Sequence, residues 1–227
     1  METNQGVTVT LPREEVVPGL LDELGRFEGL VRSLDATEWQ VPSRCTGWTA
    51  GDVAGHVIGQ LADVSAGRFE GLGTPEVTAR QVEERRGRTP AELADELADA
   101  SKVADAILGT FDDAAWNGPG PTGTGTLGDG VEALWFDASL HADDIRDAVG
   151  RSSDMSCGVR VSISHLAQVL SEQGYAPATL ALDGIEEFAV SGGGPAIAGP
   201  PAQFVLVATG RAAPESLGLD ETINVYR

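Results

Sequence analysis

Two histidines and one aspartate sit where they could hold a metal ion. Asp137 and His141, in the stretch DASLHADDIRD, are related as i and i+4. On a helix that spacing stacks two ligands on one face, as in helix-borne zinc motifs. On a wheel of about 100° per residue centred on His141, Leu134, Ile145 and Ala148 fall within roughly 40°, and Ala138 near about 60°. His141 therefore lies in the apolar stripe, with Asp137 about 40° and Asp144 about 60° to one side of it. Asp143 and Asp147 fall on the far side, towards water. A buried carboxylate has to be paired, hydrogen-bonded or metal-bound, because an isolated one is too costly. His56, at the edge of the apolar stripe of an earlier helix and next to Gln60 and Asp63, could supply a third ligand. Two histidines and a carboxylate leave one coordination position open, the catalytic zinc pattern rather than the structural one. Asp144 could orient His141 or cap a neighbouring loop, and Gln60 is the matching orienting candidate beside His56. The same Asp-x-x-x-His spacing also fits an ordinary hydrogen-bonded pair. His165 reads as a packing or surface residue. Cys45 reads as a small packing residue, although its place before a helix N-terminus could lower its thiol pKa.

These residues depend on helices to position them. Apolar periodicity predicts a first helix from about Pro12 to Leu34, with Val16, Leu20, Leu21, Leu24, Phe27, Leu30 and Val31 at helical spacing. Thr49 reads as an N-cap with Asp52 in the box position, opening a helix to about Gly71 that carries Val53, Val57, Leu61 and Val64. A short helix is expected in PEVTARQVEERRGR. TPAE, residues 89–92, opens another that runs to about Phe111, with Pro90 at its first position. NGPGPTGTGTLGDG is a long loop, and a last long helix spans about Leu127 to Val149, ending at Gly150. Beyond GRSSDMSCG the texture changes. A helix over about Val159–Ser171 leads into two short alternating runs, ATLALDG and EEFAVSG, then a turn and a proline-opened helix in GGGPAIAGPPAQFVLVATGR. TINVYR could be a closing strand. The expected fold class is α+β, with a helical domain over 1–151 and a small α+β domain over 152–227.

With Lys+Arg 15 against Asp+Glu 35, the formal charge of −20 argues against a nucleic-acid partner and against anionic membranes. No apolar run approaches the roughly 20 residues of a spanning helix. METNQGVTVTLPREE lacks the basic and apolar regions of a secretory signal. Cys45 and Cys157 are far apart, and reduced thiols are expected. A cytoplasmic protein, monomer or homodimer, with small-molecule partners is the expectation.

Three segments resemble one family. VPSRCTGWTAGDVAGHVIGQ, residues 41–60, resembles the Cys-x-Gly-Trp-Thr-x-x-Asp-x-x-x-His block of the mycothiol-dependent maleylpyruvate isomerases. HADDIRDAVG, residues 141–150, resembles their second block, a His followed by Asp-Ile/Leu-Arg and a terminal Gly. SGGGPAIAGPPAQFVLVATGR is similar to their small α+β domain. The resemblance implies a DinB-like four-helix bundle with a small C-terminal domain. It implies zinc or another divalent metal on His56, Asp137 and His141, and mycothiol as the thiol cosubstrate. At position 137 the family's usual acid is Glu, whereas this chain has the shorter Asp. The implied chemistry is activation of a thiol as thiolate, for cis–trans isomerisation of a maleylpyruvate-like acid or for S-transfer to an electrophile. Such substrates carry carboxylates, so arginines matter. The cluster Arg80, Arg85, Arg86 and Arg88 could equally form surface ion pairs with Glu83 and Glu84. The family favours one arginine from each domain, which points to Arg86 and Arg211 as substrate-binding residues. Two rival readings remain: a DinB-like metal-dependent hydrolase that uses no thiol, and a non-catalytic ligand-binding member.

Overall fold

The computed structural model describes residues 11–227, which divide into two compact units: 12–158, and 159–227 together with Leu11. Residues 1–10, part of the stretch read for a secretory signal, lie outside the described residues.

The first unit is helical. α1 (Arg13–Arg32), α2 (Ala50–Ser65), α4 (Pro90–Leu108) and α6 (Leu127–Ala148) form a four-helix bundle, with the short α3 (Pro75–Glu83) laid against α2 and α5 (Asp113–Trp116) against α6. α1 packs on α4 and α6, and α2 on the same two helices, so each long helix has two neighbours. The stripe predicted for α1 is buried at Val16, Leu20, Leu24, Phe27, Leu30 and Val31, and that of α2 at Val53, Val57 and Leu61. Burying such side chains contributes about 1.5–3 kcal/mol each.

The start signals act as their chemistry predicts. The Thr49 hydroxyl accepts from Asp52 N and the Asp52 carboxylate accepts from Thr49 N, and the pair Thr89 and Glu92 does the same at α4. Thr126 and Asp129 build a third such box at α6, which the long-loop reading of that stretch passed over. α2 ends at Ser65, short of Gly71. Between α1 and α2, Ser43 N donates to Trp48 O and Ala50 N to Val41 O, closing residues 41–50 into a tight loop.

The second unit holds α7 (Val159–Glu172), three short strands and α8 (Pro201–Ala208). β1 (Ala178–Leu182) pairs antiparallel with β2 (Phe188–Val190), Thr179 opposite Ala189. β3 (Ala196–Gly199), absent from the sequence reading, joins the other edge of β1 in parallel, giving the order β2-β1-β3. α7 packs on β2 and α8. The closing strand expected in TINVYR does not form. Asp220 accepts from Thr222 N and caps a 3₁₀ turn over Glu221–Ile223, and Val225 N donates to Ala208 O at the end of α8. The molecule is thus α+β. Among the described residues no helix is long and apolar enough to cross a membrane.

Candidate metal centre

α2 and α6 pack together, and His56 on the first meets Asp137 and His141 on the second. Both histidines are buried and Asp137 is half-buried. His56 Nε2 lies 3.5 Å from Asp137 Oδ2, and His141 Nε2 lies 3.5 Å from Asp137 Oδ1. These separations are too long for good hydrogen bonds, and Asp137 Oδ2 is a buried oxygen with none. Asp137 thus faces both histidines at ion-pair rather than close hydrogen-bond distance. Tetrahedral zinc with bonds of about 2.0–2.1 Å holds its ligand atoms roughly 3.3–3.4 Å apart. The donor types and their convergence suit a divalent cation, with one oxygen of the shorter Asp137 facing each histidine.

Burial alone would raise the Asp137 carboxyl, but the two facing imidazoles hold it far below the usual carboxylate range. Burial alone would lower His141, yet Asp137, with help from Asp144 and Cys45, pushes it well above the usual histidine value. Three electron-rich atoms that converge in this way demand a positive charge among them, as protons or as metal.

The outer nitrogen of each histidine is engaged. His141 Nδ1 donates to Asp144 Oδ2 at 2.7 Å. Asp144, fully buried, also accepts from Arg44 Nε at 2.6 Å and from the Cys45 thiol at 3.2 Å. Arg44 extends a second nitrogen to Asp143 at 2.5 Å. This corrects the wheel reading of Asp143, which is buried because Arg44 covers it; Asp147 is exposed as expected. Sequence reasoning missed Arg44 altogether. The available signal was charge balance: two aspartates near an apolar stripe need a cation, and Arg44 stands beside Cys45 with no acidic neighbour in sequence. Trp48, from the same loop, packs its ring 5.4 Å from that of His56 and 6.5 Å from that of His141. It forms an apolar wall beside the centre.

On the other side, His56 Nδ1 donates to Gln81 Oε1 of α3 at 3.0 Å. Gln81, rather than the expected Gln60, thus holds this ring, because the short helix α3 and not the next turn of α2 faces Nδ1. Arg86, expected as a substrate arginine, is half-exposed and pairs with Asp52 at 3.1 Å and Glu83 at 2.8 Å. Arg80 pairs with Asp63 and Glu84, and the buried Arg85 pairs with Glu96. Arg211 belongs to the second unit, where it lines a cavity of about 310 Å³ with Glu215, Glu221 and Asn224 and donates to Thr209 O.

Residues 20–146 match the family described as the mycothiol maleylpyruvate isomerase N-terminal domain. The chain belongs to this family. The matched span contains His56, Asp137, His141 and Asp144, and it covers more than half of the chain. A crystal structure of the mycothiol-dependent maleylpyruvate isomerase is similar in fold, with a TM-score of 0.64 at 20% identity, covering 94% of this chain and 93% of that one. A histidine-to-alanine mutant of that enzyme gives a TM-score of 0.63 at 18% identity over the same shares. No curated protein sequence matches the chain.

Proposed function

We propose that this family member is a zinc-type metalloenzyme that uses mycothiol as cosubstrate to isomerise an unsaturated acid of the maleylpyruvate kind or to transfer the thiol to an electrophile. The observation that carries the proposal is the convergence of His56 Nε2, His141 Nε2 and the Asp137 carboxylate. His56, Asp137 and His141 would hold the cation and leave one position open. When bound, the cation supplies Lewis acidity that keeps a thiol of ordinary pKa about 8.5 as thiolate at neutral pH.

The protein's own residues do the positioning. Arg44 and Asp144 keep His141 turned with Nε2 inward, and Trp48 limits water on one side. A thiolate adding to a cis double bond beside a carbonyl forms the C–S bond, moves the π pair into an enolate and leaves a single bond free to rotate. Return of that pair expels the thiolate and gives the trans isomer. If the enolate carbon instead takes a proton from solvent, the thiol stays attached and the product is an S-conjugate. Arg211 remains the candidate for pairing with a substrate carboxylate.

The deciding experiment is metal analysis of the purified protein beside a His56→Ala, His141→Ala double variant. Near-stoichiometric zinc or nickel is expected in the first and little in the second. Equal, low content in both would sink the metal reading. Incubation with mycothiol and maleylpyruvate then separates the two chemistries. Isomerisation needs only catalytic thiol, whereas S-transfer accumulates a conjugate visible by mass spectrometry.

A further inference from the structure

α2 faces α3 along Gly55, Gly59 and Asp63, which recur every four residues on one side of the helix. A Cβ at Gly59 would stand 2.7 Å from Gln81 Cβ and 2.8 Å from Arg85 Nη1, and one at Gly55 3.3 Å from Arg85 Cβ. The bare backbone lets α3 come close enough to lodge Gln81 between His56 and Asp63. Both Gln81 and Asp63 are 1% exposed. Gln81 Nε2 donates to Asp63 Oδ2 at 2.7 Å while its Oε1 accepts from His56 Nδ1 at 3.0 Å. Asp63 also takes Arg80 on Oδ2 at 2.6 Å, and Arg68 on Oδ1 at 2.9 Å from Nε and 2.7 Å from Nη2. Burial alone would raise the Asp63 carboxyl, but Gln81, Arg80 and Arg68 hold it below the usual range.

An ionised carboxylate can only accept hydrogen bonds. The amide NH₂ of Gln81 must therefore face Asp63, which turns its oxygen to His56. That oxygen too can only accept, so Nδ1 of His56 has to carry a proton, and in the neutral ring Nε2 then keeps its lone pair. With the amide reversed, oxygen would meet carboxylate and NH₂ would meet Nδ1. The ring proton would then sit on Nε2 and point into the centre, where it would block a cation. We infer that Asp63 and Gln81 are positioning residues for His56: the buried charge of Asp63 fixes the sense of the Gln81 amide, and the amide fixes the ring tautomer that presents a bare Nε2. His141 reaches the same state by a shorter route, with Asp144 as its direct acceptor.

The inference rests on His56 being a ligand for its consequence in affinity, but not for the tautomer itself. Histidine-ring nitrogen NMR of metal-free protein, recorded at alkaline pH where the His56 signals no longer change with pH, reads the tautomer without metal. His56 is expected as Nδ1–H. In Asp63→Asn, Arg68 retains the oxygen, the new NH₂ faces Gln81, the amide reverses, and His56 moves to Nε2–H. Zinc affinity, measured by chelator competition, is expected to fall about 10- to 100-fold. The double variant Asp63→Asn, Gln81→Glu restores an acceptor to His56 and a donor to that acceptor, so both tautomer and affinity should return towards wild type. A purely structural role predicts no such rescue. If Asp63→Asn folds poorly, Gln81→Met carries the test, and retention of a fixed Nδ1–H there would overturn the inference. So would Nε2–H in wild type, or an Asp63→Asn protein with unchanged tautomer and affinity. Wild type that shows the expected tautomer but takes up no zinc would leave this relay standing and remove the metal reading instead.

Discussion

Arg44 answers for two carboxylates at once. Asp143 and Asp144 are adjacent and buried, and the guanidinium spans them with separate nitrogens. Removing one partner of a buried ion pair leaves the other charged and unsolvated, which costs several kcal/mol. Arg44→Met is therefore expected to lower unfolding stability by about 3 kcal/mol in urea melts. It should also weaken zinc binding, because Asp144 loses the donor that holds it against His141. Arg44→Lys keeps the charge but lacks the planar fork, and should fall between the two. A second residue-scale test lies away from the histidines. Glu23 of α1 is buried beside Cys157 and Trp135, with Oε2 lacking a hydrogen bond. Burial raises its carboxyl above the ordinary value, against smaller opposing effects of Cys157, Arg26 and Arg146. A raised folded value means this group's contribution is fully present below the unfolded value, about 4.3, and is lost as pH rises through the folded one. Glu23→Gln should remove that loss, so the variant gains stability relative to wild type at pH 8 but not at pH 4. Denaturant melts at the two pH values decide it.

At the scale of elements, the centre depends on how closely α3 approaches α2. Gly59→Ala puts a methyl where Gln81 Cβ and Arg85 already stand, both closer than 3.0 Å. α3 must shift outward, and Gln81 loses its bond to His56. Overpacking of this kind typically costs 1–3 kcal/mol, so a Tm loss of several degrees is expected together with weaker zinc retention in chelator competition. A zinc affinity equal to wild type would show that α3 does not support His56. The same geometry explains what the sequence could disclose. Asp137 and His141 share a helix, so their i, i+4 spacing carried their proximity, and the boxes at Thr49 and Thr89 marked where two of the long helices begin. Gln81 meets His56 only through a helix-on-helix contact, which no local spacing encodes. Asp143 points off the apolar stripe, and its burial is decided by Arg44 on a distant loop. β3 offers only Ile197 as a buried apolar residue and pairs in parallel with β1, so it lacked both alternation and a hairpin turn. TINVYR has β-type residues, but Asp220 captures its start in a capped turn.

The whole molecule sets a harder problem for an anionic substrate. A net charge of −20 repels carboxylates at long range, so productive binding needs local positive charge. In the first unit the arginines around the centre are already committed: Arg44 to Asp143 and Asp144, Arg80 to Asp63, Arg85 to Glu96, and Arg86 to Asp52. All three proposed ligands lie within residues 12–158, whereas Arg211 belongs to the second unit and lines a cavity there. Metal holding and carboxylate recognition should then separate under mutation. Arg211→Ala is expected to leave zinc content at the wild-type level and to raise KM for a dicarboxylate about tenfold, as loss of a charge-assisted hydrogen bond of about 1.4 kcal/mol would. kcat at saturation should change much less, since the lost contact binds substrate without entering the chemistry. Steady-state kinetics beside metal analysis distinguish the outcomes. A fall in zinc content would tie Arg211 to the centre instead, and an unchanged KM would remove it from substrate binding.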